Sequence, residues 1–283
     1  MAITRFRPEI WSANLLVALR KALVYAGPGI VNRDYEGEIS EAGDTVRITS
    51  ISDPTIATYT PNQTSITPEE LTDAQRTLVI DQCKYFAFKV DDVDARQARG
   101  NVIPEAISRA AYKLADVVDQ YVASLYTGVA TANALGTVTV AAGTPTDAYD
   151  KILVPLKVKL DEANVPTMGR YVVIPPWLHG RLLLDGRFIK LNESGTEEGL
   201  RNGQVGRAAG FDILVSNNTP VPGANQSIVQ GGVDMAISFA EQINKTEAYR
   251  PEAGFSDAIK GLALYGAKLV RPDCIVTAVA QSQ

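Results

Sequence analysis

Apolar residues recur at spacings of three and four between Pro104 and Tyr126, where Ile107, Ala111, Leu114, Val118, Tyr121 and Leu125 share one helical face. Pro104 suits a first helical turn and Gly128 a stop, so the spacing predicts a helix roughly 35 Å long. A second amphipathic pattern follows Pro8, with Trp11, Leu15, Leu16, Leu19 and Leu23 on one side, and ends at Gly27-Pro28-Gly29. A third uses Tyr149, Ile152, Leu153, Leu156, Leu160 and Ala163, and Pro155 inside it should kink or split the helix.

Elsewhere the pattern is that of strands. Residues 44–52 (DTVRITSIS) and 77–90 (TLVIDQCKYFAFKV) are rich in Val, Ile, Thr and aromatic residues. Between them lies a polar stretch, DPTIATYTPNQTSITPEELTDAQR, too long for a tight turn, which reads as a two-stranded excursion leaving the body. An isolated hairpin is marginal in water, so this one should be stabilised by lying on another chain. After a Gly/Thr/Ala-rich connector at 127–146, GRYVVIPP at 169–176 reads as a buried strand, Trp177–Leu184 as a short helix, and FDILVSN at 211–217 as another strand. Residues 235–243, 245–251, 259–270 and 274–280 read as C-terminal strands. The economical α+β arrangement packs these strands and 84–90 against the long helix and leaves 147–230 as an inserted α/β lobe.

Composition narrows the function. A chain of 283 residues with 46% hydrophobic and 21% charged residues has enough material for two lobes and no bias toward disorder. A formal net charge of −5 argues against a dedicated nucleic-acid binder. No apolar run reaches the ~18–20 residues of a membrane span, and MAITRFRPEIWSANLL lacks a signal peptide's hydrophobic stretch, so a soluble cytoplasmic product is expected. Cys83 and Cys274 have no CxxC spacing and read as isolated reduced thiols.

Catalytic, cofactor-binding and metal-ligating residues are all expected to be absent. His179 is the only histidine and has no GxSxG elbow or motif-like cysteine beside it. Gly203, Gly206 and Gly210 in GQVGRAAG match neither GxGxxG nor GxxxxGK[ST], and they precede a strand where those motifs follow one, so a turn is predicted. The acidic run DDVD at 91–94 reads as the approach to a helix N-terminus, and the pairs Glu69-Glu70 and Glu197-Glu198 as solvated loop carboxylates.

The order of elements, together with VVIPPWLHGRLLLDGRF at 172–188, GRAAGFDILVSNNTP at 206–220 and ISFAEQINKTEAYRPEAGFSDAIKGLALYGAKLVRP at 237–272, resembles the tailed-bacteriophage major capsid proteins with the Hong Kong 97-type fold, above all the branch typified by Salmonella podophages. That resemblance implies an N-terminal arm over 1–43, an E-loop over 44–90, a P-domain with its spine helix over 91–132, an A-domain over 133–225 and the rest of the P-domain over 226–283. It implies many copies of the chain in pentamers and hexamers, a portal, enclosed DNA bound without sequence specificity, no membrane, and a virion component assembled in the host cytoplasm. Some relatives weld their shells through an E-loop lysine, but none occurs here between Lys21 and Lys84, which predicts a non-covalent shell. Because the arm starts within ten residues of the N-terminus, any scaffolding protein is expected to be a separate chain. The rival readings are an encapsulin-like nanocompartment, a small-ligand α/β enzyme around Trp177 and His179, and a tail-tube protein, the last disfavoured by the long helix.

Overall fold

The computed structural model describes residues 24–34, 45–51, 56, 58, 73–91, 102–185, 206–251 and 256–283. The helix expected after Pro8 lies outside them up to residue 23, and Val24, Tyr25 and Ala26 belong to a bend and turn. Glu69-Glu70, Asp92 to Asp94, Glu197-Glu198 and Gly203 also lie outside them, as does most of the stretch between the first two strands.

The long helix forms as expected. Helix α1 (Val102–Ser124) runs for 23 residues, about 35 Å, and passes into a 3-10 turn that ends at Gly128. Ile107, Ala111, Leu114 and Val118 are buried, and Tyr121 and Leu125 are partly buried at the same core. This face packs on a three-stranded antiparallel sheet of order β3-β10-β9, made by β3 (Gln82–Asp91), β10 (Ser256–Leu269) and β9 (Ile237–Tyr249). Ile259, Ala263, Tyr265, Ala267 and Leu269 of β10 supply the facing apolar row.

A second sheet of six strands has the order β4-β11-β8-β5-β7-β6. Its members are β4 (Ala134–Val140), β5 (Tyr171–Ile174), β6 (Arg207–Ala208), β7 (Phe211–Val215), β8 (Gln226–Gly232) and β11 (Ile275–Ser282). Strand β5 is buried along its whole length, and its period of two divides it between two cores. Tyr171 and Val173 face the α1 core, whereas Val172 and Ile174 face helices α2 (Val154–Glu162) and α3 (Pro176–Leu183).

Pro155 splits the third helical pattern as its missing N–H requires. Tyr149–Leu153 form a wide π turn, Pro155 falls in the first turn of α2, and the helix ends on Asn164 at a positive φ of 55°, with the Val165 N–H reaching back to the Leu160 carbonyl at 3.0 Å.

Four expectations need correction. The segment 77–90 is two strands: β2 (Asp73–Val79) pairs antiparallel with β1 (Thr45–Ile51), and the chain then turns at Ile80-Asp81 into β3 of another sheet. The connector 127–146 contains β4, which pairs parallel with β11. The segments 235–243 and 245–251 are one long strand, β9, whose register shifts opposite Leu262 and Leu264. Strand β11 lies in the six-stranded sheet beside β8, with Val276, Ala278 and Ala280 on the α2 and α3 side and Ile275 at the α1 core, so β9 and β10 supply most of the C-terminal cover of α1.

Candidate assembly surfaces

Strands β1 and β2 form a sheet of their own, in register from Thr45 opposite Val79 to Ile51 opposite Asp73. Two strands alone cannot bury a face, so this ribbon depends on its root. There Leu78 and Ile80 are buried with Ala240 of β9 and Leu264 of β10. The crossing over β10 is so close that a Cβ at Gly266 would stand 2.5 Å from the Val79 carbonyl oxygen and 2.9 Å from the Ile80 Cα. Arg76 adds a long hydrogen bond, 3.5 Å, from its guanidinium to the Leu269 carbonyl. The body therefore grips the ribbon at one end, and residues 52–72 connect the two strands at the other.

Beside the root, β3 is an edge strand with its apolar residues turned inward. Phe86 and Phe88 stack with ring centroids 6.2 Å apart, and Gly261 makes room for the Phe86 ring, which would lie 2.3 Å from a Cβ there. On the other side Tyr85 is 79% exposed. Lys260 pairs with Glu247 at 3.0 Å and lies 5.2 Å from the centre of the Tyr249 ring. The outer face of this sheet is thus polar and aromatic, the composition suited to a contact that must also tolerate water.

Residues 24–34 close over α1 and the start of β9. The backbone N–H groups of Val24 and Tyr25 donate to Asp119 Oδ1 at 2.9 and 2.5 Å, and the Asn218 amide donates to Asp119 Oδ2 at 3.0 Å. Asn32 bridges to β9, with its N–H on the Ile237 carbonyl at 2.8 Å and its carbonyl accepting from Phe239 at 2.9 Å. Arg33 donates to the Ala26 carbonyl at 2.8 Å, pairs with Glu241 at 3.6 Å and stacks 4.9 Å from the Phe239 ring centre.

Within the lobe, Arg170 is 2% exposed and held by Asp161 at 2.6 Å and by the Pro166 and Val165 carbonyls at 2.8 and 2.6 Å. Hydrogen bonds from Lys157 and then Arg170 hold the Asp161 carboxyl below its ordinary pKa. The Asp147 carboxyl is lowered chiefly by Lys151, at 2.8 Å.

The described residues among those singled out for possible chemistry lie on different elements. His179 sits on α3, its backbone N–H on the Pro175 carbonyl, and burial lowers its pKa. Gly210 is the second residue of a two-residue hairpin turn between β6 and β7. Ala209 and Gly210 have φ of 51° and 83°, so the predicted turn is there, and its glycine serves the backbone. Cys83 is exposed on β3, and Cys274 is partly buried with its thiol pKa raised by burial. Among the described residues no three His, Cys, Asp or Glu side chains are grouped as metal ligands would be, and no helix is long and apolar enough to cross a membrane.

The chain thus carries a two-stranded ribbon rooted on one sheet and a segment, 24–34, clasped over α1 and β9. The chain belongs to the phage capsid protein family, whose profile matches residues 76–278. A solved structure from Mycobacterium phage Che8 is 32% identical, with 90% of each chain covered and a TM-score of 0.74. The capsid structure of cyanophage P-SCSP1u is 18% identical over 87% of this chain and 85% of its own, with a TM-score of 0.70. The mature capsid of bacteriophage PhiM1 is 17% identical over 83% and 82%, with a TM-score of 0.64. None of the curated proteins matches. The protein is a structural capsid protein of a phage head shell, a virion component with the Hong Kong 97-type α+β fold. An encapsulin-like compartment is the less supported alternative, because the family match and the 32% identity are both to phage proteins.

Asp119, Gly266 and Arg170 were not singled out from the sequence. Gly266, in LALYGAKLV, was the one that carried a signal, since a glycine inside a strand marks a close backbone approach.

Proposed function

We propose that the chain is the major capsid protein, building an icosahedral shell around the double-stranded DNA genome from pentamers and hexamers. The observation that carries this reading is the β1–β2 ribbon, firmly rooted at Leu78, Ile80 and Gly266 yet only two strands wide. A neighbouring copy is the natural cover for it. In this reading residues 1–43 are the N-arm, 44–90 the E-loop, 91–132 and 226–283 the P-domain, and 133–225 the A-domain, with β8 and β11 continuing the A-domain sheet into the P-domain.

Small contacts at the ribbon, arm and lobe are repeated over a closed lattice, which makes the whole hard to dismantle. We read the shell as non-covalent, since the ribbon and its connection, residues 45–79, contain no lysine for a side-chain weld, and Lys84 and Lys89 lie on β3 of the body sheet. It is not an enzyme and takes no cofactor. Assembly proceeds in the host cytoplasm with a separate scaffolding protein and a portal. Negative-stain electron microscopy of the protein, alone and co-expressed with its neighbouring genes, tests the reading. Closed shells or capsomer rings are expected, and a uniformly small species under both conditions overturns it.

A further inference from the structure

We infer that Asp119 is a coupling joint, through which the seating of residues 24–34 on α1 and the docking of the turn after β7 depend on each other. This joint adds a conformational role to the shell reading and rests on it only for its biological use. The carboxylate is 2% exposed, and its hydrogen-bond partners among the described residues are neutral N–H groups from two segments remote in sequence. One oxygen takes the Val24 and Tyr25 amides, and the other takes Asn218. A buried anion is tolerable only while donors surround it. If the turn carrying Asn218 lifts, the carboxylate loses a donor and admits water, which competes for the two backbone amides. If 24–25 lifts, the same exposure loosens Asn218. Both segments therefore bias one two-state element, which is the physical requirement for coupling between sites.

Asn218 is itself positioned by its neighbour, since its backbone N–H donates to Ser216 Oγ at 3.1 Å. The link thus runs from the end of β7 through Asp119 to residues 24–25, near the middle of the proposed N-arm. In a shell it would transmit reorientation of the lobe to the arm of the same subunit.

Hydrogen exchange with mass-spectrometric readout on the full-length unassembled protein tests this whether or not shells form. Asn218→Ala should raise exchange at Val24 and Tyr25 by at least about tenfold, the factor expected for loss of a charge-assisted hydrogen bond. Asn218→Asp, which sets a second carboxylate against the first, should do the same. Adding Asp119→Asn to Asn218→Asp reverses the pair, with the amide N–H at 119 donating to the carboxylate at 218 while the amide oxygen at 119 still accepts from Val24 and Tyr25, and should return the exchange toward wild type. The joint is refuted if both single variants speed exchange only within 211–226, or if the exchanged pair fails to protect 24–25. Electron microscopy of the same samples reports separately on the shell reading.

Discussion

Gly266 shows how much one missing methyl group can decide. Its φ is not in the left-handed region, so the constraint comes from space: a Cβ would collide with the backbone of Val79 and Ile80, which cannot move without shifting the ribbon root. Gly266→Ala is expected to cost about 1–3 kcal/mol in denaturant unfolding of the subunit. Gly143→Ala, with nothing within 4 Å of the added atom, should be close to neutral. Tyr171 provides a test of opposite sign. Its hydroxyl is buried without a hydrogen-bond partner among the described residues, and burial raises its pKa. Tyr171→Phe removes that uncompensated group and should stabilise the subunit by about 1 kcal/mol in the same assay.

At the scale of elements, α1 and α2 are held by different physics. Helix α1 is held by its apolar face, so Leu114→Ala should cost about 2–5 kcal/mol, read from the unfolding midpoint. The C-terminal end of α2 is tied to the start of β5 by the Asp161–Arg170 pair, with Lys157 on the other carboxylate oxygen. Because the folded pKa of Asp161 is depressed, its contribution is present above the ordinary carboxylate pKa and is lost as pH falls through the lower folded value. Unfolding midpoints should therefore decline as the pH drops below about 4, and Asp161→Asn should flatten that decline. The helical pattern at 149–163 was legible, including the split at Pro155, because proline acts locally. Strands β4 and β8 were not. ALGTVTV and QSIVQGG resemble connector and turn composition, and β8 needs its glycines because Cβ atoms at Gly231 and Gly232 would crowd the Tyr171 and Cys274 carbonyl oxygens.

The whole molecule joins a rooted ribbon, a clasped segment and a lobe into a single body. Deleting residues 55–72 should leave a subunit that folds, because the root cluster is untouched, while shell yield falls sharply in electron micrographs. Unchanged yield would remove the ribbon from assembly. Limited proteolysis addresses the clasp. Arg33 is engaged by Ala26, Glu241 and Phe239, so trypsin should cut after it slowly, and Glu241→Ala should speed that cut.

Read alone, the sequence determined most helices and several strands, because periodicities of 3.6 and 2 and proline and glycine stops are local properties of the chain. The class of protein came from the likeness of 172–188, 206–220 and 237–272 and of the element order to tailed-phage capsid proteins. The long helix at 104–126, the buried strand of GRYVVIPP and a turn in GQVGRAAG could all be named from residues near one another. Only the tertiary structure decided that the strand at 77–90 breaks to serve two sheets, that β11 crosses to the lobe, and that Asp119 meets Val24, Tyr25 and Asn218. Those outcomes depend on residues far apart in the sequence competing for the same buried space or the same carboxylate, and no local pattern records such a meeting.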